Sequence, residues 1–184
     1  YCMPKEVYGE SFKFLPRKEL LDFNEIERIA QTFAKLGVNK IRITGGEPLV
    51  RKNIEELIKK LSNISGIEDI AMTTNGYLLE SKLDSLIQSG LNRITVSLDS
   101  IDSKTFKKMS GQNFEVEKVL SAIKLANDKG FENLKINCVV QKNVNEHSIL
   151  DLLDYFRDSG NIVRFIEYMD VGNLNGWDQK DVIS

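Results

Sequence analysis

The sequence predicts an α/β fold of the partial-barrel type, a curved parallel sheet with helices on its outer face only. Three observations carry this expectation. Helical stretches alternate with short β-rich runs along the whole chain, which is the pattern of right-handed βαβ units and a parallel sheet. The helical stretches end in glycine, and a run carrying a basic residue near its start follows within a few residues. Each strand separates into one apolar and one polar face, whereas an open parallel sheet covered on both sides reads as nearly continuous apolar runs. One polar face per strand favours a barrel with an unusually polar interior over a Rossmann-like sheet.

The elements follow in order. Helix 25–36 has Ile26, Ile29, Ala30, Phe33 and Ala34 at helical spacing, and Asp22 with Glu25 has the form of a capping box. Gly37 leads into strand 40–44, where Ile41 and Ile43 oppose Lys40, Arg42 and Thr44. Helix 54–61 and a looser glycine, Gly66, lead into strand 69–73. Helix 80–89 and Gly90 precede strand 93–98, in which Ile94, Val96 and Leu98 oppose Arg93, Thr95 and Ser97. Helix 116–128 and Gly130 precede strand 134–140, where Leu134, Ile136, Cys138 and Val140 oppose Lys135 and Asn137. Helix 146–158 and Gly160 precede strand 162–168.

Composition sets the outer bounds. With 41% hydrophobic and 28% charged residues, a chain of 184 residues can bury one substantial core. No Pro/Gly/Ser-rich linker divides it, so residues 1–184 are expected to form a single domain. Its 25 basic and 27 acidic residues leave a net charge of -2, which disfavours nucleic acid and anionic membranes as partners. No apolar run approaches the ~20 residues of a membrane span. Cys2 and Cys138 are too few for a disulfide scaffold, so a reducing, cytoplasmic setting is expected. A chain that opens with Tyr1-Cys2-Met3-Pro4 reads as a piece of a longer enzyme.

The polar interior points to a ligand. By the strand alternation Arg42, Lys135 and Arg164 share one face, and burying uncompensated cations is costly. An anionic, phosphorylated ligand held by charge-assisted hydrogen bonds accounts for them; internal pairing with Asp69 or Asp99 is the plainer alternative. Thr73, Thr95, Ser97 and Asn137 add groups that orient a substrate, and strand C-termini are where barrel sites lie. Gly45-Gly46-Glu47-Pro48 sits at that end, a turn whose backbone can approach a ligand closely.

These motifs carry a resemblance. Tyr1-Cys2-Met3-Pro4 resembles the end of the Cys-x-x-x-Cys-x-x-Cys loop of radical S-adenosylmethionine (SAM) enzymes, and Gly45 to Pro48 their strand-two glycine motif. With Thr73-Thr74-Asn75-Gly76, Val96-Ser97-Leu98-Asp99 and the run from Arg164 to Asn173, the chain is similar over essentially its whole length to the GTP 3′,8-cyclase family of molybdenum cofactor biosynthesis. The resemblance implies a partial barrel of six βα units whose first strand precedes Tyr1. It implies a [4Fe-4S] cluster held by three cysteines, of which Cys2 is the third, and a second [4Fe-4S] cluster in a C-terminal region that does not follow Ser184. One electron from the cluster would cleave SAM to a 5′-deoxyadenosyl radical, which abstracts hydrogen from the ribose of GTP before the ring closes.

By the same resemblance Tyr1, Gly46, Ser97 and Met169 match contacts to SAM, with Glu47 supporting its amino group. Arg42, Thr73 and Lys135 match GTP contacts, and Lys40 and Arg164 extend that basic wall. An electron donor and a homodimeric intact protein are implied as partners. The 184 residues alone are expected to hold neither cluster stably. Two other readings stand beside this one: a peptide-modifying radical SAM enzyme, and a non-catalytic α/β nucleotide-binding module. His147 reads as a solvated first-turn residue, Trp177 as part of a Gly/Asn-rich tail, and Met169 apart from the resemblance as core packing.

Overall fold

Asp22 starts the first helix as its spacing predicts. Its Oδ1 accepts from the backbone N–H groups of Asn24 and Glu25 at 2.8 Å each, and Glu25 Oε2 accepts from the Asp22 N–H at 2.8 Å. This reciprocal cap satisfies donors that α1 (Phe23–Lys35) would otherwise leave open. The computed structural model describes residues 7–9, 12–111, 113–171 and 176–183. Tyr1 and Cys2 lie outside the described residues.

After α1 the chain runs β1 (Lys40–Ile43), α2 (Ile54–Ser62), β2 (Asp69–Thr74), α3 (Leu79–Gln88), β3 (Arg93–Ser97), α4 (Ser103–Ser110), α5 (Val116–Asp128), β4 (Lys135–Val140), α6 (Ile149–Phe156) and β5 (Ile162–Glu167). The five strands form one sheet in the order β1-β2-β3-β4-β5, parallel at every pairing. Sequential order with every crossover through a helix is the barrel-like arrangement; a doubly wound sheet would reverse direction at a switch point.

The outward face of the sheet is the core. Ile70, Met72, Ile94, Val96, Ile136 and Cys138 are all at most 2% exposed and join Leu57, Leu83, Val119 and Ile123 from the helices in one contiguous cluster. Leu83, Leu86 and Val119 are completely enclosed, so each contributes the full ~1.5–3 kcal/mol of an apolar side chain removed from water.

The turns close as their glycines require. Gly90 follows α3 with φ +92°, and a Cβ there would lie 2.9 Å from Ser62 Cβ, so both the left-handed backbone and the close approach of α2 demand glycine.

Three features depart from expectation. The periodicity of 146–158 predicts one helix, but 146–148 form a 3-10 turn and α6 starts at Ile149. The fully buried Asn145 spends its side chain there on backbone groups and caps no helix, so the tighter turn forms first. Helix α4 was not anticipated, although Asp102 accepts from the Thr105 N–H at 2.7 Å and Gly111 ends it with φ +63°. Its run Ser-Lys-Thr-Phe-Lys-Lys-Met-Ser is short, with three lysines and only two large apolar residues, which obscures the apolar stripe. The expected core face of α1 is half open: Ala30 is buried, but Ile29 is 40% and Phe33 52% exposed. They line an apolar groove of about 530 Å³ beside β1, the sheet's edge strand, whose outer side has no partner among the described residues.

Candidate functional site

The inner face of the sheet is built in rungs by the strand register. Lys40 stands beside Asp69; Arg42 aligns with Ala71 and Ala71 with Arg93. Thr73 aligns with Thr95 and Thr95 with Lys135; Ser97 aligns with Asn137 and Asn137 with Arg164. Because side chains alternate with a period of two, every one of these residues points away from the helices. Arg42, Thr73, Ser97, Lys135 and Arg164 are therefore brought together as the alternation predicts, while Ile43, Cys138 and Val140 are buried on the opposite face.

Polar contacts hold the rungs in place. Arg42 Nη1 donates to Thr73 Oγ1 at 2.9 Å and to Thr95 Oγ1 at 3.4 Å, crossing two strands. Arg164 Nε and Nη2 both donate to Asn137 Oδ1, at 2.9 and 2.6 Å. Lys135 has no ion-pair partner among the described residues; desolvation, then the neighbouring Arg93, Arg164 and Arg42, hold its ammonium below the usual lysine range. A cation crowded by cations is a site short of negative charge.

Internal pairing explains only part of this wall. Asp69 does form an ion pair, but with Arg93, whose Nε donates to Asp69 Oδ1 at 2.8 Å and whose Nη2 donates to Oδ2. Asp99 pairs with none of the cations; its Oδ1 accepts from the Val139 N–H at 2.8 Å. Burial pushes its carboxyl up to about 6, against the lowering effect of that N–H. Among the described residues Arg42, Lys135 and Arg164 have no carboxylate partner.

Above the rungs, at the strand C-termini, lies a cavity of about 1240 Å³ lined by Thr44, Gly45, Gly46, Glu47, Thr73, Ser97, Asn137 and Met169, among others. Gly45 has φ +152° with nothing within 4 Å of where a Cβ would stand, so the turn presents bare backbone to the cavity. Met169 is 43% exposed and lines this space, which sets aside the core-packing reading. Glu47 is also on the wall, but its carboxylate is a brace. Oε1 accepts from the Leu49 N–H at 3.0 Å and Thr74 Oγ1 at 2.7 Å, and Oε2 from the Asn75 N–H at 2.7 Å, tying the glycine turn to the end of β2.

Sequence reasoning missed several contributors. Phe106 and Met109 of α4 and Phe114 wall the cavity. Asn145 is fully buried and donates to the carbonyls of Asp99 and Val139 at 2.8 Å each, while its Oδ1 accepts from the Gln141 N–H at 2.8 Å. It locks the ends of β3 and β4, and no local pattern announces it. Arg93 lies on the polar face predicted for it and adds a further cation to that wall, beside Asp69. His147 is exposed, as expected of a solvated residue, and Trp177 donates to the Tyr168 carbonyl at 3.0 Å.

The cysteine available among the described residues is not suited to holding a metal. Cys138 is 1% exposed in the apolar layer, and burial pushes its thiol up to about 12. No group of three or more His, Cys, Asp or Glu among the described residues could hold a metal ion. No helix among them is long and apolar enough to cross a membrane.

A parallel βα sheet with a cavity at its strand C-termini, bordered by a Gly-Gly-Glu-Pro turn, defines the class: the chain matches the radical SAM superfamily over residues 1–156 and belongs to it. Within that class it is 51% identical, over all 184 residues, to the GTP 3′,8-cyclases of Staphylococcus aureus strains JH9 and Newman, and it spans 54% of their length. Among solved structures it is similar to anSMEcpe with bound AdoMet, with a TM-score of 0.69 and 19% identity over 95% of this chain and 51% of that one. It is also similar to coproporphyrinogen III oxidase (HemN) from Escherichia coli, with a TM-score of 0.66 and 16% identity over 86% of this chain and 40% of that one. At such identities these two speak for the fold.

Proposed function

We propose that this chain is the core of a GTP 3′,8-cyclase of molybdenum cofactor biosynthesis, a lyase that converts GTP to 3′,8-cyclo-7,8-dihydroguanosine 5′-triphosphate. The observation that carries it is the uncompensated cation wall of Arg42, Lys135 and Arg164 beneath the glycine turn, in a chain 51% identical to such enzymes. A peptide substrate gives no reason for that wall. A plain binding module gives no reason for the Gly-Gly-Glu-Pro turn above it.

The cavity residues fit SAM: the open backbone of Gly45, with Gly46, the hydroxyl-bearing Ser97 and the thioether-bearing Met169, lines one space. Tyr1 would adjoin it, and Cys2 would be a thiolate ligand of the [4Fe-4S] cluster; the described Cys138 is unsuited to that role. Cluster and SAM together supply one-electron, hydrogen-abstracting chemistry when bound.

The chain's own residues do the rest. Arg42 and Lys135, with Lys40 and Arg164 at the margins, bind the triphosphate by charge-assisted hydrogen bonds. Thr73 holds the Arg42 guanidinium at 2.9 Å and so aims it. Glu47 keeps the glycine turn in register with β2, so that ribose and cofactor meet at a fixed distance. An external one-electron donor, a cytoplasmic setting and a homodimeric intact protein belong to the same proposal.

The test is anaerobic turnover by the full-length protein with GTP deuterated at ribose C3′. Expected is GTP-dependent formation of 5′-deoxyadenosine carrying deuterium. SAM cleavage that ignores GTP would overturn the assignment.

A further inference from the structure

The inner face carries one more cation than the proposed phosphate wall uses. Arg93 shares a rung with Arg42, separated only by the methyl group of Ala71, which is 2% exposed. Its side chain is 43% exposed, while that of its partner Asp69 is 18% exposed. Two of the five guanidinium N–H donors face Asp69, so three are left for a ligand.

Charge is ordered along the face. From the cavity inward come Ser97, Asn137 and Arg164, then Thr73, Thr95 and Lys135, then Arg42 and Arg93, and last Lys40 and Asp69. Positive charge is greatest on the Arg42–Arg93 rung, and on the next rung Lys40 stands beside the Asp69 carboxylate. Asp69 is the one acid among the inward-facing residues of the five strands, and the Arg93 hydrogen bond, with Lys40 and Arg42 nearby, keeps its carboxyl below the usual aspartate range. An exposed ion pair contributes little to stability, about 0–1 kcal/mol, so folding alone gives it scant purpose.

We infer that Arg93 contacts the terminal phosphate of the nucleotide, and that Asp69 is a positioning residue that aims Arg93 and repels any further extension of the anion. The pair then sets how many phosphates the site accepts. This deepens the proposed function and rests on its reading of the wall as a phosphate site. An anionic tail entering from the cavity passes Arg164 and Lys135 first. Its end reaches the Arg42–Arg93 rung, and beyond it lies the Asp69 carboxylate.

The two members of the pair should act with opposite signs, which a structural salt bridge cannot do. Calorimetric titration of the full-length protein with GTP, GDP and GMP reads this directly. Arg93→Gln is expected to weaken GTP about tenfold or more while moving GMP less than about twofold. Asp69→Asn keeps an oxygen that accepts from Arg93 Nε and so preserves the aim, while removing a negative charge beside the terminal phosphate; it is expected to tighten GTP by about threefold. Arg93→Lys, which keeps the charge but not the fork, should retain part of the GTP preference and serves if Arg93→Gln melts early by circular dichroism. If both Arg93→Gln and Asp69→Asn weaken all three nucleotides alike, the pair is structural and the inference is overturned. If neither changes the GTP-to-GMP ratio while Lys135→Ala still weakens GTP, the inference falls and the phosphate wall stands. Should the unaltered protein bind GTP no better than guanosine, both fall.

Discussion

Arg42 shows how a single residue joins fold to chemistry. On an edge strand with a half-open groove behind it, its guanidinium reaches across two strands to Thr73 and Thr95 and yet meets no carboxylate among the described residues. Lys135, three strands away on β4, is crowded by positive charge. Replacing either by Ala is expected to weaken GTP binding by about 1.5–3 kcal/mol, the worth of hydrogen bonds to charged groups. Cleavage of SAM should change less, and calorimetry beside a 5′-deoxyadenosine assay separates the two effects. Asp99 gives a second residue-scale expectation. Its carboxyl, raised by burial to about 6 from an ordinary value of 3.8, keeps its proton in the native state over a pH range where the unfolded chain releases it. Stability from this group therefore falls as pH rises from about 4 to 6, by up to about 3 kcal/mol. Asp99→Asn should remove that slope, since an amide oxygen can still accept from the Val139 N–H. The check is the difference in unfolding free energy between the two proteins across that window; an unchanged slope contradicts the assignment.

At the scale of elements, the glycines that follow α3 and α5 do more than end a helix. Gly90 and Gly130 have nearly the same backbone, φ +92° and +94°, but differ in surroundings. A Cβ at Gly90 would strike Ser62 Cβ at 2.9 Å, whereas at Gly130 nothing lies within 4 Å. Gly130→Ala is expected to cost about 1 kcal/mol from the left-handed conformation alone. Gly90→Ala should cost about 2–3 kcal/mol, because α2 and α3 must also move apart. Urea denaturation of both variants measures the difference, and equal losses would mean that α2 yields freely. The Asp22 cap of α1 and the Asn145 lock between β3 and β4 are of the same kind, since side chains satisfy backbone groups at the ends of elements.

Taken as a whole, the molecule separates its stability from its site. The outward face of the sheet holds the apolar core, and the inward face holds the cations and hydroxyls. Core contacts are insensitive to salt, whereas exposed charges are screened over a Debye length of about 10 Å at 0.1 M. Raising salt from about 0.05 to 0.5 M is therefore expected to weaken GTP binding roughly tenfold and to leave the melting temperature almost unchanged. Parallel calorimetric titration and thermal denaturation test this; a melting temperature that moves with affinity would mean that the wall also holds the fold together.

The sequence by itself determined the parallel βα architecture, the strand faces and the convergence of Arg42, Lys135 and Arg164, because a period of two assigns every strand residue to a face without reference to its neighbours. Cys138 was legible as an outward residue for the same reason. What only the tertiary structure decided were relations between elements. Register put Arg93 beside Asp69 and across Ala71 from Arg42, and no pattern within one strand encodes its offset against the next. The same holds for Glu47, whose carboxylate braces the end of another strand, and for α4, whose Phe106 and Met109 wall a cavity shared with the glycine turn and the strand ends. Periodicity reports how an element meets a core; the partners it meets there are set by packing and register, which are properties of the assembled chain.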